Sequence, residues 1–469
     1  MTITPVDTDS LSTLARGISG RVLAAGDPDF ARLATPFNVA VVQTPAAVIE
    51  VADADDVATV VTFAADNGFD VAVQATGHGA VLHTRPTLLV HTGRLDELDI
   101  RSDHTARIGA GVRWQAVLDA AAPHGLAPLA GSSPLVGVVG YLTGGGLGPV
   151  ARTFGFASDY VSAFEVVTGR GEMLRVTADE HPELFWGLRG GKGALGIVTA
   201  VELRLIELAE FYGGCYFFDG TDARAVVERW RTWGAGLSDQ ASTSLAIMRL
   251  PEMPGVPEPI AGRCTVAVRY AFVGDAAEAE AVLEPMRGVA PVILGGSGVV
   301  PYSALGAIHS DPVDPMPIHE TSVLIDSLPD DAIAALLDAA GPDADCPQII
   351  VELRQLGGAI AATDAATSAG TSRDSAVSHR DAAYSLLTIG IAIPATVTAV
   401  LESATRITSA VAPWGTGRCL ANFGASLAPA RIARRYDAPT LARLVRLAGA
   451  HDPYGVLPES RAVRAAAAL

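Results

Sequence analysis

Residues 187–198 read Gly-Leu-Arg-Gly-Gly-Lys-Gly-Ala-Leu-Gly-Ile-Val, "GLRGGKGALGIV". Gly191, Gly193 and Gly196 satisfy G-x-G-x-x-G, the spacing of a dinucleotide loop in a doubly wound fold. That loop works only with a strand before it and a helix after it, so that a pyrophosphate meets the helix N-terminus. Here the helix-like "ELFWGLRG" (183–190) precedes and the strand-like "GIVTAVELRL" (196–205) follows. The context is reversed, which excludes the Rossmann reading. Lys192 does not make a Walker loop either, because Gly193 follows it and Trp186 stands where the first glycine is required.

Two further glycine-rich stretches lie upstream, "TGHGA" (76–80) and "GVVGYLTGGGLG" (137–148). Any one of them alone reads as a tight turn. Together they indicate backbone amides that approach a large polar ligand closely, with phosphates held between strands. His78 stands between Gly77 and Gly79, directly after the strand-like "DVAVQ" (70–74). Glycines provide no walls for a histidine to pack against, so His78 is a candidate ligand to whatever lies there.

The rest of the chain is consistent with a large α+β protein. It has 469 residues, 49% of them hydrophobic, enough for more than one core. A formal net charge of −18 argues against a nucleic-acid partner. Lys192 is the only lysine, which we read as a mark of base composition. Cys215, Cys264, Cys346 and Cys419 have no metal or disulfide spacing. The start has no basic and apolar leader, and no apolar run is long enough to span a membrane. The expectation is a cytoplasmic protein. "DADDVATVVTFAADNGF" (53–69) predicts a helix and "SAFEVVTGRGEMLRVTA" (162–178) a hairpin; the texture changes near 209. "PQIIVELRQLGGAI" (347–360) predicts a strand, and 361–375 a surface loop. His309, His319, Asp311 and Asp314 fit a rigid proline-rich loop better than a metal site, so no metal is expected.

The order of these loops resembles the FAD-linked oxidases of the vanillyl-alcohol oxidase superfamily, in the berberine-bridge-enzyme-like branch. In that family a loop close to R-S-G-G-H-S carries a histidine joined to FAD, and "VQATGHGA" matches it with His78 in the histidine position. "PLVGVVGYLTGGGLG" (134–148) matches the next family loop, and "HPELFWGLRGGKGALGIVT" (181–199) the third. The resemblance implies a PCMH-type FAD-binding domain in two parts, 1–208 and 418–469. Between them, 209–417 would be a substrate domain with an antiparallel sheet backed by helices. FAD would be held by Gln74, Ala75, Thr76, Gly77, His78, Gly79 and Ala80. The second loop would contribute Ser133, Pro134, Val138, Gly140, Tyr141, Gly144, Gly145 and Gly146. Gly196, Ile197 and Val198 would meet the adenosine end, and Asn422 in "LANFG" would lie beside the flavin.

The departures are Gln74 for arginine and Gly79 for serine. Ser133 stands where some members carry a cysteine with a second covalent link, so a single link through His78 is implied. The implied chemistry is hydride transfer from a small-molecule alcohol, sugar or secondary metabolite, with O2 as the reoxidant. Alternatives are a flavin-dependent tailoring oxygenase or oxidative cyclase, and a nonredox protein that retains FAD. The base is chosen among Glu352, Tyr384, Tyr302 and His379. Glu352 is the first choice, against an ion pair with Arg354 on the same strand face.

Overall fold

A computed structural model describes residues 8–363 and 366–469. The extreme N-terminus used in judging a leader, and residues 364 and 365 of the expected surface loop, lie outside the described residues.

The strands are β1 (Arg21–Leu23), β2 (Ala47–Glu50), β3 (Asp70–Gln74), β4 (Thr87–His91), β5 (Leu98–Ile100), β6 (Thr105–Gly109), β7 (Leu126–Ala127), β8 (Val161–Val167), β9 (Met173–Val176), β10 (Ile197–Arg204) and β11 (Ile206–Glu207). Then follow β12 (Glu210–Asp219), β13 (Ala241–Arg249), β14 (Cys264–Phe272), β15 (Val292–Pro301), β16 (Ile318–Ile325), β17 (Gln348–Gln355) and β18 (Tyr384–Ile391).

The first sheet has the order β1-β2-β4-β3, with β2 and β3 both parallel to β4. The helix Ala54–Asn67 joins β2 to β3. Asp53 caps it by accepting the Asp56 backbone N–H, and Gly68 ends it at φ 75. Its apolar residues recur at helical spacing, so Val57, Val60, Val61 and Ala64 are all buried on one stripe. The loop 75–80 leaves the carboxyl end of β3, the end at which ligands gather on parallel strands.

The second sheet, β5-β6-β10-β8-β9, is antiparallel throughout. The predicted hairpin is β8 and β9, turning at Gly169–Gly171. The glycine run at 187–198 sits as its neighbours require: the helix Pro182–Leu188 leads in and β10 leads out.

The third sheet, β15-β12-β14-β13-β17-β18-β16, is wholly antiparallel. Helices Ala223–Gly234, Ala276–Arg287, Asp330–Ala340 and Val397–Ala410 bury one of its faces with Trp230, Leu283, Leu336 and Ile407. Alternation along β17 turns Val351 and Leu353 into that core and leaves Glu352 and Arg354 on the opposite face. Arg152, just beyond the second glycine loop, ties this opposite face to the smaller sheets by donating to the Ala241 carbonyl at 2.8 Å and to that of Leu356. A buried, two-pronged pair from Arg380 to Asp159 (2.8 and 2.6 Å) makes a second tie.

The last helices, Ala438–His451 and Pro458–Ala466, return to the beginning of the chain. Leu444 and Leu447 join the core around Trp114 and Phe164. Arg461 pairs with the buried Asp70 at the start of β3 (Nη1 to Oδ1, 2.9 Å).

Candidate active site

The loop after β3 is shaped by contacts that only its sequence allows. Gly77 has φ +74, and a Cβ there would lie 2.5 Å from Pro36 Cα. No other residue fits without moving backbone. His78 then projects against Phe37, with ring centroids 3.9 Å apart and planes 12° from parallel. Its Nδ1 is in a 2.7 Å hydrogen bond with Thr76 Oγ1, while Nε2 is buried without a protein partner. Burial, assisted by the Arg113 charge, lowers the imidazole to about 4, so the ring is neutral near pH 7. A neutral, oriented imidazole with one orphaned nitrogen is suited to bonding a ligand.

Gln74, grouped with the cofactor residues on sequence, faces the other way. Its amide donates to the Leu33 carbonyl (2.9 Å), and its side-chain oxygen accepts from Gln43 (3.1 Å). The strand's alternation buries it toward the N-terminal segment, so it fastens that segment instead of facing a ligand. Gly79 and Gly140 have nothing within 4 Å of where a Cβ would stand, leaving backbone that another molecule can approach. Ala80 closes the loop by donating its N–H to the Gly77 carbonyl at 3.3 Å. Ala75 lies behind it, against Gly137.

In the second loop, Val138 is buried in the core and Tyr141 sets its ring edge-on to Trp114 at 5.4 Å. The Tyr141 hydroxyl is buried without a protein partner, and burial raises it above the ordinary phenol range. Ser133 and Pro134 hold the loop by accepting N–H bonds from Val136 (3.3 Å) and Gln115 (2.8 Å). Gly145 and Gly146 follow at φ +102 and +76. A Cβ on Gly144 would lie 2.0 Å from Asn422 Oδ1, so this glycine admits the C-terminal asparagine. Asn422 in turn donates to the Tyr141 carbonyl at 2.8 Å. Gly196 opens β10, and Ile197 and Val198 run inside the core behind it.

Lys192, in the third loop, donates to the Gly140 carbonyl at 3.2 Å and to Asn422 Oδ1. Its backbone is left-handed at φ 57, a conformation that costs a side-chain-bearing residue roughly 1–2 kcal/mol. Burial lowers its amine to about 8, against the opposing pull of Glu459. Glu459 itself accepts the N–H of Gly193.

On the open face of the third sheet a charged cluster surrounds Glu352. Its Oε1 accepts from Arg269 Nη1 (2.7 Å) and Ser244 Oγ (2.9 Å), and its Oε2 from Arg354 Nε (2.8 Å). Burial opposes ionisation, but Arg354, His309 and Arg269 together hold Glu352 well below the usual carboxylate range. His309 Nε2 stands 3.5 Å from Glu352 Oε1, and its Nδ1 is buried with no protein partner. Burial and Arg269 keep His309 neutral. A cavity of about 40 Å³ lies between this cluster and residues 147–152, with His309, Arg269 and Arg354 in its wall. The guanidinium of Arg354 lies 5.3 Å from the centre of the Phe423 ring, beside Asn422.

The four candidate bases do not gather. Tyr302 is buried against Phe211, with ring centroids 5.9 Å apart. Tyr384 is turned into the helix-covered core, 5.9 Å from the Trp230 ring, because its position on β18 has the parity of Leu386 and not of Ser385. It is therefore corrected to a core residue. His379, at φ 61, is influenced by Arg418, Asp437 and Asp381, away from Glu352. His309, assigned on sequence to a rigid proline-rich loop, is buried beside Glu352. Asp311 accepts from Ser132 Oγ (2.8 Å), and no group of three potential metal ligands occurs among the described residues.

An FAD fits these features: the backbone at Gly79 and Gly140 is accessible, and the His78 nitrogen and Tyr141 hydroxyl are orphaned. The FAD binding domain family matches residues 45–177. (R)-6-Hydroxynicotine oxidase of Paenarthrobacter nicotinovorans is 30% identical over 314 residues, 63% of this chain and 64% of that protein. BBE-like 1 of Physcomitrella patens has the same fold, with a TM-score of 0.81 and 19% identity over 96% of this chain and 98% of that one. So does the glucooligosaccharide oxidase of Acremonium strictum, described with a 6-S-cysteinyl, 8α-N1-histidyl FAD (TM-score 0.79, 18% identity, 95% and 97% covered). Residues 45–177 thus match the FAD binding domain family, the chain spans just under two thirds of the curated relative, and its fold is that of BBE-like 1 and the glucooligosaccharide oxidase.

Proposed function

We propose that this protein is an FAD-dependent oxidase acting on a small molecule, an alcohol, sugar or secondary metabolite, and that FAD is linked to it once, through His78. The observation that carries this reading is the neutral His78 ring, stacked on Phe37 and held by Thr76, with Nε2 buried and unpartnered. Ser133 supplies no thiolate for a second link, and the four cysteines are free and elsewhere. Free thiols also fit a cytoplasmic setting. Residues 1–208 with 418–469 are read as the cofactor part, and 209–417 as the substrate part.

Bound FAD supplies a hydride acceptor at N5 and passes the electrons to O2, which yields hydrogen peroxide. The chain's own task is to orient the substrate and take its proton. Glu352, kept ionised by its two arginines, stands beside Nε2 of His309, a residue of the cavity wall, and leaves the unpartnered Nδ1 as the proton acceptor. Arg354 retains Nη donors for a polar substrate group beside Phe423.

The test is acid precipitation of the purified protein. Yellow colour should stay with the polypeptide and should leave it in His78→Ala. Colour released from the wild type would remove the covalent link. One peroxide per substrate oxidised, with no labelled oxygen from O2 in the product, is expected; incorporation would make the protein a tailoring oxygenase instead.

A further inference from the structure

Lys192 is the only lysine in the chain, and it occupies a left-handed backbone position within a run of glycines. A glycine would remove the strain, so the side chain is kept against a local cost. Its ammonium has only uncharged oxygens as hydrogen-bond partners, the Gly140 carbonyl and Asn422 Oδ1, and no carboxylate within ion-pair distance. Glu459 and Glu320, which act on it through space, are themselves turned to the N–H groups of Gly193 and Gly424. Gly144 lacks a Cβ at the point where one would meet both Asn422 Oδ1 and Lys192 Cε, so the second loop leaves room for this pair. Three segments read as holding the FAD site therefore converge on one cation that has no direct ion-pair partner among the described residues. A cation placed this way calls for an anion from outside the protein.

We propose that Lys192 delivers its positive charge to an anionic group of the flavin nucleotide, either the pyrophosphate or the ring, which gains negative charge on taking up two electrons and one proton. This rests on the FAD reading above. The test compares wild type with Lys192→Met, Lys192→Gly and Lys192→Arg as flavin-containing proteins. Lys192→Gly relieves the backbone, so loss of folding does not obscure its result.

Sulfite, which adds to oxidised flavin to give an anionic adduct, is the probe of the ring. Sulfite binding at least tenfold weaker in Met and Gly, with Arg close to wild type, supports the proposal and assigns the ring. Unchanged sulfite binding with at least a tenfold lower flavin content in Met and Gly supports it and assigns the pyrophosphate. Full flavin content with sulfite binding within twofold of wild type in all three variants overturns it. A wild type that purifies without flavin overturns the FAD reading as well, and is seen in its spectrum before any variant is made.

Discussion

Gly77 and Gly79 flank the same histidine and differ in what holds them. Gly77 is left-handed, with Pro36 at its back, whereas Gly79 is open. Gly77→Ala should cost at least about 2 kcal/mol, and Gly79→Ala within about 0.5 kcal/mol. Urea denaturation of both variants checks this; equal losses would mean that Pro36 yields. The His78 motif was legible because a histidine between glycines has few structural uses. The role of Gln74 was not, because a buried amide bonding to distant carbonyls leaves no pattern in its neighbours. The pair of His309 with Glu352 was equally hidden, since it joins two segments that meet only in space.

At the scale of the element, β17 and β18 show what strand parity decides. The sequence pattern placed β17 but assigned no strand to the β18 stretch, and period two put Glu352 and Arg354 on one face. It could not say which face of β18 the helices would cover, and so Tyr384 passed for a site residue. Tyr384→Phe should leave kcat within about twofold, because the ring stays in the core beside Trp230. His309→Ala should lower kcat by about 10²-fold or more if Nδ1 takes the proton. In the wild type, kcat/KM should fall with an acid limb below pH 6.5, since burial lowers His309 from that value. Steady-state kinetics across pH tests both claims, and a limb above pH 7 would assign the proton to another group.

For the molecule as a whole, burial lowers His83, His91, His319, His379 and His451 as well. Each is lowered in the fold, so below pH 6.5 the unfolded chain binds more protons. Their contribution is complete above pH 6.5 and is lost as the pH falls through the lowered values. The denaturant midpoint should therefore drop steadily below pH 6.5, before most carboxylates protonate; a midpoint constant down to pH 5 would refute the sum. Whereas the antiparallel third sheet was implied only by the family resemblance, the reversed glycine motif, the three-loop order and the β8–β9 hairpin were readable because each is local or periodic. The return of the last helices onto β3 and the third loop was not, because it joins residues 391 and 266 positions apart. That return also sets a schedule. Glu459 reaches the ribosome exit 266 residues after Gly193, a wait of roughly 13–50 s at ordinary rates of synthesis. Until then the third loop lacks its clasp, so the chain should acquire its cofactor only after the helix Pro458–Ala466 has been made.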